Sequence, residues 1–190
     1  YLLDLQQFAQ ERVKNGGAPI KIRIVKGANM EMEKVEASLH GWPLVTYSQK
    51  IQTDANYKKM LQALLTPQSC ESIKVGVASH NVFELAYAVS IVKQRNLASS
   101  VDFEMLEGMA QALVFELLNL HVQVLLYTPL VEEENFLNAI AYLVRRLDEG
   151  TASGNFLKEG LGLHPDHPQW RSLESTFMAS VEMIPQVSNE

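Results

Sequence analysis

Apolar positions recur along the chain in two alternating rhythms. Leu2, Leu5, Phe8, Ala9 and Val13 fall at helical spacing, and Asn15-Gly16-Gly17 breaks the run. Ile20 to Val25 then alternates, with Lys21 and Arg23 on one face and Ile22 and Ile24 on the other, which predicts a short strand. Met30 to Leu39 reads as a helix ended by Gly41-Trp42-Pro43. Another helix runs through Tyr57, Met60, Leu61 and Leu64, with Thr53-Asp54 placed to cap it. After the break Thr66-Pro67-Gln68 come a strand over Ile73 to Ala78 and a helix over Val82 to Gln94. A strand over Val101 to Leu106, a helix over Met109 to Leu120 and a strand over Val122 to Tyr127 follow. Glu132 to Glu149 is a long amphipathic helix, opened by acids that suit its positive end and carrying Arg145 and Arg146 in its last turns. Beyond Gly150 the rhythm weakens through turn-rich sequence until a last helix, about Gln169 to Met183.

Strand then helix, repeated four times, is the mark of a parallel sheet with helical crossovers. The 190 residues, 47% of them hydrophobic, suffice for one domain with a sizeable core. They are too few for a complete eightfold β/α barrel, which needs about 250 and rarely fewer than about 200. A net charge of −6 leaves no basic surface for a phosphate backbone, so no nucleic acid partner is indicated. The single cysteine, Cys70, cannot form an internal disulfide and fits a reducing, cytoplasmic setting. No apolar stretch approaches the ~20 residues that span a bilayer. The opening Tyr1-Leu2-Leu3-Asp4 has neither an initiator methionine nor a signal-peptide layout, and it starts as though already inside a helix. The expectation is a piece of something longer.

Ligands of parallel α/β folds sit beyond the carboxyl ends of the strands, and there the chain is unusually polar. Arg23 alternates onto a face of the first strand. Either it is buried and needs an anionic partner, or the strand is an edge and Lys21 and Arg23 face water. The second strand ends in Ser79-His80-Asn81, a hydroxyl, an imidazole and an amide, of which one amide or hydroxyl is expected to cap the next helix. On the third strand Asp102 and Glu104 share a face, which requires a charged or aqueous environment. The fourth ends in Tyr127-Thr128-Pro129. Arg145 and Arg146 stand four and three residues before Glu149. That is either a solvated helix face, with pairs worth a few tenths of a kcal/mol, or a fork for a carboxylate. His164-Pro165-Asp166-His167 has no helical frame to aim two imidazoles at a metal. P-loop, GxGxxG, CxxC and GxSxG patterns are all missing.

These segments together resemble the proline dehydrogenase domain of the bifunctional proline utilisation A (PutA) flavoenzymes. Arg23-Ile24-Val25-Lys26-Gly27-Ala28 looks like that family's R-[LI]-V-K-G-A strand, Thr53-Asp54 its T-D, and Ser79-His80-Asn81 its T-H-N. Leu106-Glu107-Gly108-Met109 is similar to its L-x-G-M and Tyr127-Thr128-Pro129 to its Y-x-P. Tyr142 to Glu149 matches its Y-L-[VI]-R-R-L-x-E in order and spacing.

The resemblance implies a partial (β/α)8 TIM-type barrel: an α/β fold of the last four β/α units over residues 1–157, with a helical tail over 158–190 leading toward an aldehyde dehydrogenase domain. It implies an FAD-dependent enzyme that oxidises L-proline to Δ1-pyrroline-5-carboxylate and passes electrons to an acceptor such as a quinone, cytoplasmic or peripheral to the inner membrane. Arg23, Val25, Lys26 and Gly27 would line the flavin, Arg23 beside its reactive nitrogen, with Ser79, His80, Asn81 and Glu104 holding more of it. Arg145 and Arg146 would grip the proline carboxylate, Tyr127 and Leu106 would wall the ring, and Glu149 would support the arginines or the flavin's ribityl chain. Arg23 and Tyr127 would stand nearest the chemistry.

The chain departs from the family pattern at several positions. Asn29 and Met30 stand where many members have Tyr and Trp, Glu104 where a glutamine is frequent, and Ala110 at the last glycine of G-M-G. The family's early strands, which supply a lysine and an aspartate, lie before Tyr1. The expectation is therefore an isolated piece that binds FAD weakly or not at all, does not oxidise proline, and self-associates through uncovered edges. Two other readings stay open: a non-catalytic α/β interaction module, and a barrel enzyme using Ser79-His80-Asn81 on a phosphorylated substrate.

Overall fold

Four strands, β1 (Ile20–Ile24), β2 (Ile73–Ala78), β3 (Val101–Leu106) and β4 (Gln123–Tyr127), form one parallel sheet in the order β1-β2-β3-β4. The computed structural model describes residues 1–27, 30–151, 156 and 163–188, with side chains at these positions other than 30, 31 and 145–151. Parallel neighbours must be joined by crossovers, and here each crossover is helical. Helices α2 (Met30–His40), α3 (Lys50–Leu64) and the single turn α4 (Pro67–Cys70) join β1 to β2. Helix α5 (Val82–Gln94) joins β2 to β3, and α6 (Gln111–Asn119) joins β3 to β4. Helix α1 (Leu2–Lys14) precedes the sheet, while α7 (Phe136–Thr151) and α8 (Pro168–Glu182) follow it. The expected α/β fold of four parallel β/α units is what the structure contains.

Strand alternation sorts the sheet into two unlike faces. Ile24, Ile73, Val75, Val77, Val101, Phe103 and Met105 are buried with Tyr57, Leu61 and Leu64 of α3 and with Leu85, Ala88 and Val92 of α5. The intervening positions Lys21, Arg23, Gly76, Asp102 and Glu104 form the other face. Register sets Arg23 beside Gly76, Gly76 beside Asp102, and Asp102 beside Gln123.

Helix boundaries differ from expectation where local hydrogen bonding decides. Helix α3 starts at Lys50, because the Gln49 N–H donates to Gln52 Oε1 (3.2 Å) in a capping box. Thr53-Asp54 therefore lies inside the helix and does not cap it. Pro67, expected to mark a break, opens α4 instead, its cap Thr66 accepting the Ser69 N–H (3.2 Å). The acids ahead of α7 form a 3-10 turn, Glu133–Asn135, and the α-helix begins only at Phe136.

Helices α1, α5 and α6 all end in the same paired backbone bonds. Leu97 N–H reaches Val92 O (2.9 Å) and Asn96 N–H reaches Lys93 O (3.3 Å), with Asn96 left-handed. Val122 and His121 repeat this on Leu117 and Leu118. The motif turns the buried residues Leu97 and Val122 under the sheet, just ahead of β3 and β4.

Helix α6 starts at Gln111 because Ala110, just before it, is left-handed at φ 50°. This is the position where the resemblance placed a glycine. A left-handed non-glycine residue costs about 1–2 kcal/mol, and glycine returns about 0.4–1 kcal/mol of that through unfolded-chain entropy. Ala110→Gly should therefore stabilise the protein by about 0.5–1 kcal/mol; a lower midpoint in urea denaturation would contradict this. Gly76 meets the opposite constraint. A Cβ there would stand 2.6 Å from Glu104 Cδ. Gly76→Ala should cost about 1–3 kcal/mol through overpacking, read as a matching fall in the same denaturation midpoint.

Candidate active site

The polar face carries a buried carboxylate. Glu104 is 1% exposed, and a lone buried charge of that kind is costly. Two cations from the far side of β2 neutralise it: Lys21 Nζ lies 2.8 Å from Oε1 and Arg23 Nε 2.8 Å from Oε2. Lys21 also reaches Asp102 Oδ2 at 2.8 Å. The Glu104 carboxylate leans over β2 at Gly76 to meet the two cations, where no side chain stands in the way. Burial works against the Lys21 charge, but its bonds to Asp102 and Glu104 win and lift its pKa above the ordinary lysine value. Of the two alternatives foreseen for Arg23, the structure has the edge strand: among the described residues β1 ends the sheet and Arg23 is open to water, yet it is also paired with a buried acid.

Arg23 is held a second way. Its guanidinium carbon lies 4.2 Å from the Tyr127 ring centroid, across the sheet on β4. An ion pair through Nε on one side and an aromatic ring on the other hold the guanidinium between β3 and β4, although neither Glu104 oxygen accepts a hydrogen bond of good geometry. Arg23 and Tyr127 nonetheless remain partly open to solvent.

The strand ends are tied together above this pair. Leu106 N–H donates to His80 Nε2 (3.0 Å), joining the end of β3 to the loop after β2. Glu107 N–H donates to Tyr127 O (2.9 Å), joining β3 to β4. A neutral imidazole accepting at Nε2 carries its proton on Nδ1. Neighbouring Asn81 caps α5, its Oδ1 accepting from Phe83 N–H (2.9 Å) and Glu84 N–H (3.4 Å). Ser79 Oγ in turn accepts the Asn81 N–H (3.1 Å). The Phe83 and Glu84 amides of the first turn of α5 are thus already satisfied from within.

Val25 is exposed, and Gly27 is left-handed at φ 91° with no atom of the described residues within 4 Å of where a Cβ would stand. Lys26 between them turns toward the helices. Its ammonium lies 2.9 Å from Asp54 Oδ1 and 2.8 Å from Glu84 Oε1. Of the residues singled out in the sequence, Arg23, Glu104 and Tyr127 come together, with Leu106 and His80 beside them. Arg145, Arg146 and Glu149 lie on α7 with side chains outside the described residues, and Asn29 is outside them altogether.

A second charged cluster was not anticipated. Lys58 on α3 is fully buried, and its ammonium reaches Glu84 Oε1 at 2.6 Å and Ser180 Oγ at 2.8 Å. Lys50 pairs with Asp54 at 2.9 Å. Burial raises the Asp54 pKa, but Lys26 and Lys50 outweigh it and hold the carboxyl below the usual range. Burial pushes Lys58 down against the pull of Glu84, and burial, with Glu84 near, pushes the Tyr57 hydroxyl up. The available signal was Lys58 itself, a lysine set between the core residues Tyr57 and Leu61 on one stripe. Among the described residues no group of three or more His, Cys, Asp or Glu is placed to hold a metal ion.

Comparison with known proteins agrees with the fold. The family model described as proline dehydrogenase matches residues 1–159. The bifunctional protein PutA of Rhizobium meliloti is 31% identical over 157 residues, 79% of this chain and 12% of that protein. The solved structure of proline utilization A from Corynebacterium freiburgense matches all of this chain at 38% identity and a TM-score of 0.82, over 18% of its own length. That of Bdellovibrio bacteriovorus PutA, inactivated by N-propargylglycine, matches 95% of this chain at 30% identity and a TM-score of 0.78, over 17% of its length. The chain thus spans less than a fifth of each of these relatives. It belongs to the proline dehydrogenase family.

Proposed function

We propose that this chain forms part of the FAD-dependent centre of a bifunctional PutA-type protein, oxidising L-proline to Δ1-pyrroline-5-carboxylate on the route to glutamate. Family membership supports the reading, and one observation carries it: Arg23 stands between the Glu104 carboxylate and the Tyr127 ring at the carboxyl ends of the strands. With Nε lying against Glu104, the terminal nitrogens of the part-exposed Arg23 are the groups it can turn toward a ligand.

The residues present fit a flavin. Arg23 supplies positive charge, Gly27 leaves the backbone open to close approach, and Tyr127 supplies an apolar wall. FAD, when bound, supplies the hydride acceptor. The chain's own residues would orient and shield. Arg145 and Arg146 would hold the proline carboxylate through bidentate charge-assisted bonds, with Glu149 in support. Leu106 and Tyr127 would exclude water from the ring, and His80 would fix the Leu106 backbone that positions that wall. Val25, Lys26, Gly27, Ser79 and Asn81 would shape the cofactor loops. Lys26 and Asn81 would do so through Asp54, Glu84 and the α5 cap. The phosphorylated-substrate alternative loses its anchor, because Asn81 already occupies the N-terminal amides of α5 that would cradle a phosphate.

Residues 1–157 would supply four β/α units of the barrel, and 158–190 would lead toward an aldehyde dehydrogenase domain. A quinone is a suitable acceptor for the electrons; no described helix is long and apolar enough to cross a membrane. The remaining strands of the barrel would cover β4, α6 and α7, where Leu125, Leu126, Phe115, Leu118, Leu137 and Leu143 are exposed.

In the full-length enzyme, Arg145→Met or Arg146→Met should raise the Michaelis constant for proline about 10- to 100-fold, the worth of a charge-assisted bond. An unchanged constant in steady-state kinetics would remove both arginines from the carboxylate site. Titration of FAD followed by flavin absorbance should show tight binding in the full-length protein and weak binding in the 190-residue chain; no binding by the full-length protein would defeat the reading. Sedimentation velocity on the 190-residue chain should show concentration-dependent association through the exposed β4, α6 and α7 faces, and a monomer at all concentrations would refute that part.

A further inference from the structure

Helix α8 lies beyond the residues matched by the family model, yet it is docked as firmly as any crossover helix. Its Trp170 and Phe177 pack on Phe83 of α5, with ring centroids 4.9 and 5.8 Å apart. The chain after it is held by Lys59 Nζ on Val187 O at 2.6 Å. Such packing needs no charge. The buried end of α8 nevertheless places Ser180, 1% exposed, against the ammonium of Lys58, and sets the Phe177 ring 4.6 Å from the same nitrogen.

The three N–H donors of Lys58 are all used: on Glu84 Oε1, on Ser180 Oγ, and on Asp54 O at 3.4 Å. Glu84 Oε1 accepts a second ammonium, that of Lys26, while Glu84 Oε2 is buried without a hydrogen-bond partner. One carboxylate oxygen therefore fixes two lysines at once. One of these touches α8, and the other belongs to the loop that leaves β1 beside Gly27. An ammonium with nowhere else to put a donor transmits position, because any withdrawal of Ser180 must be absorbed at Glu84.

We propose that Lys58 and Glu84 relay the docking of α8 to Lys26, so that the helix following the family region sets the placement of the Val25–Gly27 loop. The statement that this loop faces the cofactor rests on the function proposed above; the relay itself does not. Lys26, Lys58 and Glu84 are positioning residues in this arrangement.

The test is hydrogen exchange by mass spectrometry on the full-length protein without FAD. Lys58→Met keeps a similar volume and leaves Lys26 and Lys50 to balance Asp54 and Glu84, so the fold should persist. It should speed exchange at least tenfold both around Ser180 and at Lys26–Gly27, with β2 unchanged. Ser180→Ala, which disturbs α8 alone, should move the same two segments in the same direction. Faster exchange in α8 with Lys26–Gly27 unchanged in both variants would overturn the relay, as would uniform acceleration that includes β2 in both, or no change in either. Adding FAD to the unaltered protein separates the two readings. Slower exchange at Lys26–Gly27 supports the cofactor assignment, whereas a working relay with no FAD effect defeats that assignment alone.

Discussion

A carboxylate sunk under a sheet must be neutralised within a few ångströms or it costs several kcal/mol. Glu104 is in that position on β3, and the solution fixes much of the surrounding geometry. Its cations come from β1 rather than from the adjacent strand, so β2 must offer no side chain between them, and it has Gly76. The parallel register places Gly76 level with Arg23 and two residues before Ala78, the partner of Glu104, which lets the Glu104 carboxylate lie over it toward β1. Arg23 is then too well held to wander, and Tyr127 can stack on it from β4. A carboxylate, an absent side chain and an aromatic ring together aim one guanidinium at the strand ends.

Glu104 also bears on the site's charge. The family resemblance led to a glutamine here, and an uncompensated acid would oppose any electron-accepting ligand nearby. Lys21 supplies a second cation on the same carboxylate, with Asp102 sharing it. Lys21, Arg23, Asp102 and Glu104 together carry no net charge. The acid is thereby turned from a field source into a clamp, and the groups left to act on a ligand are the outer nitrogens of Arg23.

Much of this was legible in the sequence, and the parts that were not share a cause. Strand alternation separated Arg23 and Glu104 from the core residues between them, because the period of two is set by the backbone alone. Whether Arg23 was buried or at an edge could not follow from alternation, since both place the residue on one face. Thr53-Asp54 looked like a helix cap, but Gln49, four residues before Thr53, had already closed a capping box with Gln52, and Asp54 was left to meet Lys26. Lys58 was hidden for a related reason: on a helix stripe a lysine reads as a solvated neighbour of the core, and only the tertiary approach of Glu84 and Ser180 makes its burial tolerable. Local signals fix elements. Partners between elements decide which charges those elements can hide.

β1 belongs to both charged clusters, and this ties the halves of the molecule together. Its Arg23 points to the polar face and meets Glu104, while three residues on, Lys26 turns to the helices and meets Asp54 and Glu84. The backbone between them, Ile24 and Val25, has little freedom, because Ile24 is in the core and one end of the segment is pinned by a salt bridge on each side. A shift of Lys26 must therefore pull on the strand end that carries Arg23, and the reverse also holds. An ion pair is usually judged by what it adds to stability, and a buried one adds little over a well-packed apolar substitute. The two clusters do something an apolar substitute would not: they make the placement of a loop depend on named partners on both sides of the sheet.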